Sequence, residues 1–168
     1  MAYSSSGRGK LDVLLRLTEE EMKSASMEQV VSWSTYEGPE RLIALRLAAA
    51  KAAMVGRLDL MPYFIEERNV AVQTITAEEE ALLDAHYSDC NNDGKRILRF
   101  MPHFVAIGYH IEKVVNYLLK WVKKEEVNRA DFLGRTCLMA AAYNCNTYAV
   151  QYLLDRRPGH PLSNDGHR

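Results

Sequence analysis

A few residues carry types and spacings that suggest chemistry. Asp89, Asn91, Asp93 and Gly94 have the opening pattern of a helix–loop–helix calcium site, in which alternate oxygen ligands and a glycine bend wrap the ion. The pattern fails at its far end. Phe100 stands where a bidentate Glu is required, and Arg96 takes the slot of the buried aliphatic residue, with Ile97 one place late. Two carboxylates and an amide hold calcium poorly, so the segment reads as an Asx-type turn. His86 and Cys90 lie four apart and would share a helix face as half of a metal site. No second pair has ligand spacing: Cys137 and Cys145 lie eight apart, and His103 and His110 read as structural. Gly7-Arg8-Gly9-Lys10 lacks the first glycine of a phosphate loop, is followed by Leu11 in place of Ser or Thr, and has no strand before it. Nothing gathers a nucleophile, a base and an orienting acid. These residues predict no enzyme, no cofactor, no metal and no small-molecule substrate.

The bulk composition sets the frame for that absence. The chain has 168 residues, 48% of them hydrophobic, with 21 Lys and Arg against 22 Asp and Glu. That is enough chain for one domain with its own core. A net charge near zero argues against a nucleic-acid footprint, which gathers surplus cations on one face. The one basic cluster, Lys120, Lys123 and Lys124, is followed at once by Glu125 and Glu126 and reads as a solvated helix end. Three cysteines, an odd number, suit a reducing interior better than a disulfide framework. The longest apolar run, Leu42 to Val55, is broken by Arg46 and Lys51, so no membrane span is predicted. Residues 1–16 are rich in Ser, Arg and Lys, loosely the make-up of a mitochondrial transit peptide; a disordered tail is the simpler account. The expected setting is intracellular and cytoplasmic, with the mitochondrion as the alternative.

The elements that position these residues are helical. After residue 10 the apolar residues recur at about 3.6, and hardly anywhere at two. Leu11, Leu14 and Leu15 form a short stripe. Thr18 with Glu21 has capping-box spacing and opens a helix with Met22, Met27, Val30 and Val31 inward. Gly38-Pro39 ends it and starts an alanine-rich helix from Glu40 to about Val55, stopped by Gly56. Leu58, Leu60, Met61, Phe64 and Ile65 line the next helix to about Glu67, with Pro62 one turn in. Thr76 with Glu79 starts another, through Leu82, Leu83 and Tyr87, and Asn91-Asn92-Asp93-Gly94 turns the chain. Helices follow over 102–108, 111–123, 136–143 and 147–155, and residues 156–168 form a Pro/Gly-rich coil. The expected organisation is a tail over 1–10, one helical domain over 11–155 and a second tail over 156–168.

Serial hairpins call for a search for repeats. A gapless shift of 35 residues aligns Pro102 with Cys137, Ala106 with Ala141, Val115 with Val150, and Tyr117-Leu118-Leu119 with Tyr152-Leu153-Leu154. A further shift of 54 brings Ala52-Ala53, Gly56, Leu60, Phe64 and Ile65 into loose register, with an insertion near 70–95 between the copies. The best copy reads Asp131, Gly134, Thr136, Leu138, Ala141 and Ala142, then Val150 and Leu153-Leu154. It resembles the ankyrin repeat, with its acidic finger residue, Gly, Thr-Pro-Leu-His and paired alanines. Cys137 and Met139 stand where that family has Pro and His, and Cys145-Asn146 where it has Gly-His; the upstream copy lacks the finger Gly and the Thr. The physical logic is local: Gly134 for a tight turn, Thr136 as a cap, and small alanines for close approach.

The fold class expected is therefore all-α, a short ankyrin-like solenoid of helical hairpins with an N-terminal helical extension. The resemblance implies partner binding through finger tips and inner helices. The matching positions are Phe132, Leu133 and Arg135 on the finger, and Tyr143 and Asn144 on the inner helix. Gly108 and Tyr109 match in the second copy, and Met54 and Val55 in the loosest one. Phe132 and Leu133 are equally readable as packing against a neighbouring repeat. A solenoid needs a polar terminal face, yet the clearest repeat is the last, so its outer side is expected to be covered by the tail or by another subunit. The function expected is a non-catalytic interaction scaffold among other protein subunits, an accessory subunit of a larger assembly. The alternative is a free-standing adaptor that binds a peptide or domain reversibly.

Overall fold

A computed structural model describes residues 13–14, 16–35, 41–70, 81, 111–123, 127–130 and 134–156. Its regular elements in chain order are α1 (Glu19–Ser24), α2 (Met27–Ser34), α3 (Arg41–Met54), a 3₁₀ turn (Leu58–Leu60), a π turn (Tyr63–Glu67), α4 (Glu112–Leu119), α5 (Cys137–Tyr143) and α6 (Thr147–Asp155). The architecture is all-α. Among the described residues the only β pairing is an isolated antiparallel bridge between Ala130 and Thr136.

The single helix expected from Thr18 to Val31 is two. Thr18 caps α1: Glu21 N–H donates to its hydroxyl at 3.2 Å, and its own N–H donates back to the Glu21 carboxylate at 2.8 Å. The same reciprocal pair recurs at Ser26 and Gln29 (2.8 and 3.2 Å), so a second N-terminus interrupts the run at Ala25. Restarting the helix rotates Met27 out to solvent, against the expectation that it faces inward, while Met22 and Val30 are buried.

Two basic side chains on the α3 arm hold this extension. Arg57 is fixed by both oxygens of Asp59 (2.9 and 2.7 Å) and donates from Nη1 to the carbonyls of Met22 at 2.9 Å and Ala25 at 2.7 Å. Those are C-terminal carbonyls of α1 that lack helical partners. Lys51, nearly buried in mid-α3, donates to the Leu17 carbonyl at 2.7 Å. Burial lowers its pKa, and the nearby Glu21 carboxylate partly opposes that shift.

α3 is buried all round, from Ile43 to Ala53, because its alanines let α1 and α2 pack directly on it. The helix expected over 58–67 is instead the 3₁₀ turn followed by the π turn. Pro62 offers no N–H to the Leu58 carbonyl and its ring crowds that group, which breaks the α pattern at this point. Leu60, Met61 and Phe64 are nevertheless fully buried as expected.

α4 ends before the expected residue 123. Its last turn tightens to i→i+3 bonds, Trp121 N–H to Leu118 at 3.0 Å and Val122 N–H to Leu119 at 3.3 Å. Tyr117 donates its hydroxyl to the Glu66 carboxylate, tying α4 to the π turn. Burial, and then that carboxylate, push the phenol pKa up to about 12. One continuous apolar core runs from Leu14 through Phe64 and Leu118 to Leu153. The capping box expected at Thr76, the turn at 91–94, the helix at 102–108, and His86, Cys90, His103 and His110 lie outside the described residues.

Candidate interaction face

The last hairpin is built from local signals. Gly134 adopts φ +76°, the left-handed turn expected of it. Thr136 caps α5 by accepting from Met139 N–H at 3.3 Å. Asn146 caps α6 by accepting from Ala149 N–H at 3.1 Å. Between the helices Cys145 sits at φ +53°, in the place where the family pattern has glycine. Asn146 N–H reaches back to the Ala141 carbonyl at 2.9 Å and Cys145 N–H to Ala142 at 3.0 Å, a Schellman closure.

The same closure ends α3. Gly56 adopts φ +79°, Arg57 N–H donates to Ala52 at 2.9 Å, and Gly56 N–H donates to Ala53 at 3.1 Å. Even the next bond repeats: Leu58 N–H to Gly56 at 2.8 Å matches Thr147 N–H to Cys145 at 3.0 Å. All three bonds are related by one offset of 89 residues, the two sequence shifts of 35 and 54 combined. At that offset the fully buried Ala48, Ala52, Leu60 and Phe64 fall on the fully buried Cys137, Ala141, Ala149 and Leu153. The copy that was loosest in sequence is therefore a true hairpin of the same design. In the middle copy only the second helix is described. α4 starts at Glu112 where α6 starts at Thr147, again 35 apart, with Val114 and Leu118 buried like Ala149 and Leu153.

The positions expected to bind partners divide between two environments. Tyr143 is 89% exposed and Met139, one turn earlier on α5, is 58% exposed; Tyr148 and Cys145 beside them are also open. Arg135 is exposed at the start of this face. Asn144 is half-buried and spends its amide on the Ala140 carbonyl at 2.9 Å. Met54 and Val55, the counterparts of Tyr143 and Asn144, line a cleft of about 260 Å³ with Lys51 and with Leu17, Thr18, Glu19 and Met22 of the extension. Phe132, Leu133, Gly108 and Tyr109 lie outside the described residues.

Thr136 to Leu154 contains no charged residue, in a chain of which 26% is charged. Its flanks are ionic: Arg135 on one side, Asp155 and Arg156 on the other. Arg156 lies 4.6 Å over the Tyr152 ring and sends long 3.5 Å contacts to the Leu119 and Val122 carbonyls, linking α6 to the end of α4. Sequence reading singled out Tyr143 but missed Met139. The i, i+4 pairing of the two was legible once α5 was placed. It also missed Arg57, because a cation that serves backbone carbonyls leaves no pairwise spacing to find.

Among the described residues no group of three or more His, Cys, Asp or Glu is placed to hold a metal ion, and no helix is long and apolar enough to cross a membrane. These elements define an all-α protein built on repeated helical hairpins. Residues 133–165 match the ankyrin-repeat family model, a span that takes in the hairpin just described, which is thus similar to an ankyrin repeat. The match starts within the finger and runs on past Asp155, where sequence reading ended the repeat. Neither a curated protein nor a solved structure matches the chain significantly.

Proposed function

We propose that this protein is a non-catalytic accessory subunit that joins a larger protein assembly through its last hairpin. Ankyrin repeats mediate protein–protein interaction, and that general role follows from the matched repeat. The observation that carries the more specific reading is the charge-free stretch from Thr136 to Leu154, from which Tyr143 and Met139 of α5 project into solvent. Solvated helical hairpins carry charges. Cores of stable interfaces instead exclude Lys, Glu and Asp and concentrate Tyr and Met. Arg135 and the finger residues Phe132 and Leu133 border this face in sequence and, with Tyr109 of the second copy, belong to the proposed binding positions. Asn144 shapes it by fixing its own turn. The free-standing adaptor remains the competing reading and differs in lifetime of the complex.

The test is sedimentation of the tagged protein from its source cell, wild type against Tyr143→Asp, with circular dichroism as the check on folding. Co-sedimentation with a large particle, lost in the folded variant, supports the accessory subunit. A monomer that exchanges with its partner within seconds indicates the adaptor. A folded Tyr143→Asp variant that stays in the same particle would rule out the assigned face.

A further inference from the structure

The internal repeat indicates what kind of partner the last hairpin accepts. At the offset of 89, Ala50, Ala53 and Met54 of α3 correspond to Met139, Ala142 and Tyr143 of α5. Ala50 and Ala53 have no exposed surface and Met54 is half-buried, whereas all three α5 residues are exposed. The difference coincides with α1 and α2, which pack on α3. The capped start of α1 meets α3 directly, and Leu17 and Met22 line one cleft with Met54 and Val55. The first hairpin thus shows, within one chain, how this inner-helix face is completed: by a short capped helix that presents apolar residues.

We infer that the partner on α5 is a capped amphipathic helix of another polypeptide, seated as α1 is seated on α3. This rests on the reading of the last hairpin as a docking face. Charge narrows the partner further. With no ionic side chain between Thr136 and Leu154, the contacting stripe of that helix is apolar and its charges lie outside the contact, near Arg135 and Asp155. A second copy of this chain is a poor occupant. Its own α1 is already held in place, by Arg57 at the Met22 and Ala25 carbonyls and by Lys51 at the preceding Leu17 carbonyl, so a second copy would have to release that helix to offer it.

The test uses the full chain against two displayed libraries of 16-residue peptides. One fixes a Thr-x-x-Glu cap ahead of a helical pattern; the other has the same composition with a central proline. Helical binders are expected to enrich selectively. Their affinity should fall about thirty-fold on Tyr143→Ala, the size of a central aromatic hot spot, and stay within about twofold on Trp121→Ala, an exposed aromatic at the end of α4. Equal enrichment of the proline library, no enrichment at all, or binding indifferent to Tyr143→Ala overturns the inference. So does a dimer of the chain that Tyr143→Asp dissociates. Failure here with Tyr143→Asp still releasing the protein from its particle would leave the docking face standing and remove only the helical partner.

Discussion

Gly56 and Cys145 occupy one conformation in two copies of the same loop, and exchanging their residue types tests the repeat energetically. A left-handed backbone costs an L-residue roughly 1–2 kcal/mol. At Gly56 a Cβ would also stand 3.1 Å from Ile111 Cγ2, tight enough that the start of α4 must give way. Against this, alanine reduces the freedom of the unfolded chain by up to about 1 kcal/mol. Gly56→Ala is therefore expected to cost about 1–2 kcal/mol, a fall in Tm of roughly 2–8 °C for a chain of this size. At Cys145 the strain is already present, so Cys145→Gly should gain about 0.5–1 kcal/mol once glycine's unfolded entropy is subtracted. Gly134, also left-handed but with nothing within 4 Å of a Cβ, serves as the control for strain without crowding. Its alanine variant should lose less than Gly56→Ala. Urea unfolding followed at 222 nm, with the slope against urea unchanged, measures all three. A neutral Gly56→Ala, or a Cys145→Gly that destabilises, would refute the assignment of the two loops to one design.

Three further outcomes follow from the packing. Arg57→Met should lose roughly 2–3 kcal/mol, since it strands α1 carbonyls that a charged donor satisfies; proteolysis at the 24–27 junction should accelerate in parallel. Leu153→Ala, at a fully buried site, should cost about 2–5 kcal/mol, and Leu153→Asp should melt the last hairpin, read by hydrogen exchange of α5 and α6. Tyr143→Ala should shift stability by less than about 0.5 kcal/mol, because so little of it touches the fold. On pH, the Thr18 backbone and hydroxyl hold the Glu21 carboxyl below its ordinary pKa. A depressed carboxyl contributes stability above its unfolded pKa and loses it as pH falls through the folded value. The wild-type Tm should therefore drop more steeply than that of Glu21→Gln as pH falls from about 5 towards 3; parallel curves would show that the cap is not formed.

Much of this architecture was legible along the chain because its signals are local. Thr18 with Glu21, Thr136 ahead of α5, the alanines of α3 and the left-handed turns at Gly56 and Gly134 each act through residues within a few positions, where propensity and hydrogen-bond reach decide the outcome. Ser26 with Gln29 was equally readable and splits the helix in which Met27 was expected to face inward. The hairpin of residues 52–65 was the hardest copy to trust from composition. It became secure only through three backbone hydrogen bonds that recur in the last hairpin, where a Cys takes the place and the left-handed conformation of Gly56. The break at Pro62 has a local cause, while the burial of Phe64 in the π turn beyond it is a matter of tertiary packing. Arg57 reaching the Met22 and Ala25 carbonyls spans 35 and 32 residues, Lys51 reaching Leu17 spans 34, and Tyr117 reaching Glu66 spans 51. Their energies depend on which surfaces meet. The sequence by itself determined the helical hairpins and their period. Tertiary structure decided that α1 and α2 cover the first inner helix while the equivalent face of α5 is open, because burial is a property of neighbours in space and two copies of one pattern can receive different ones.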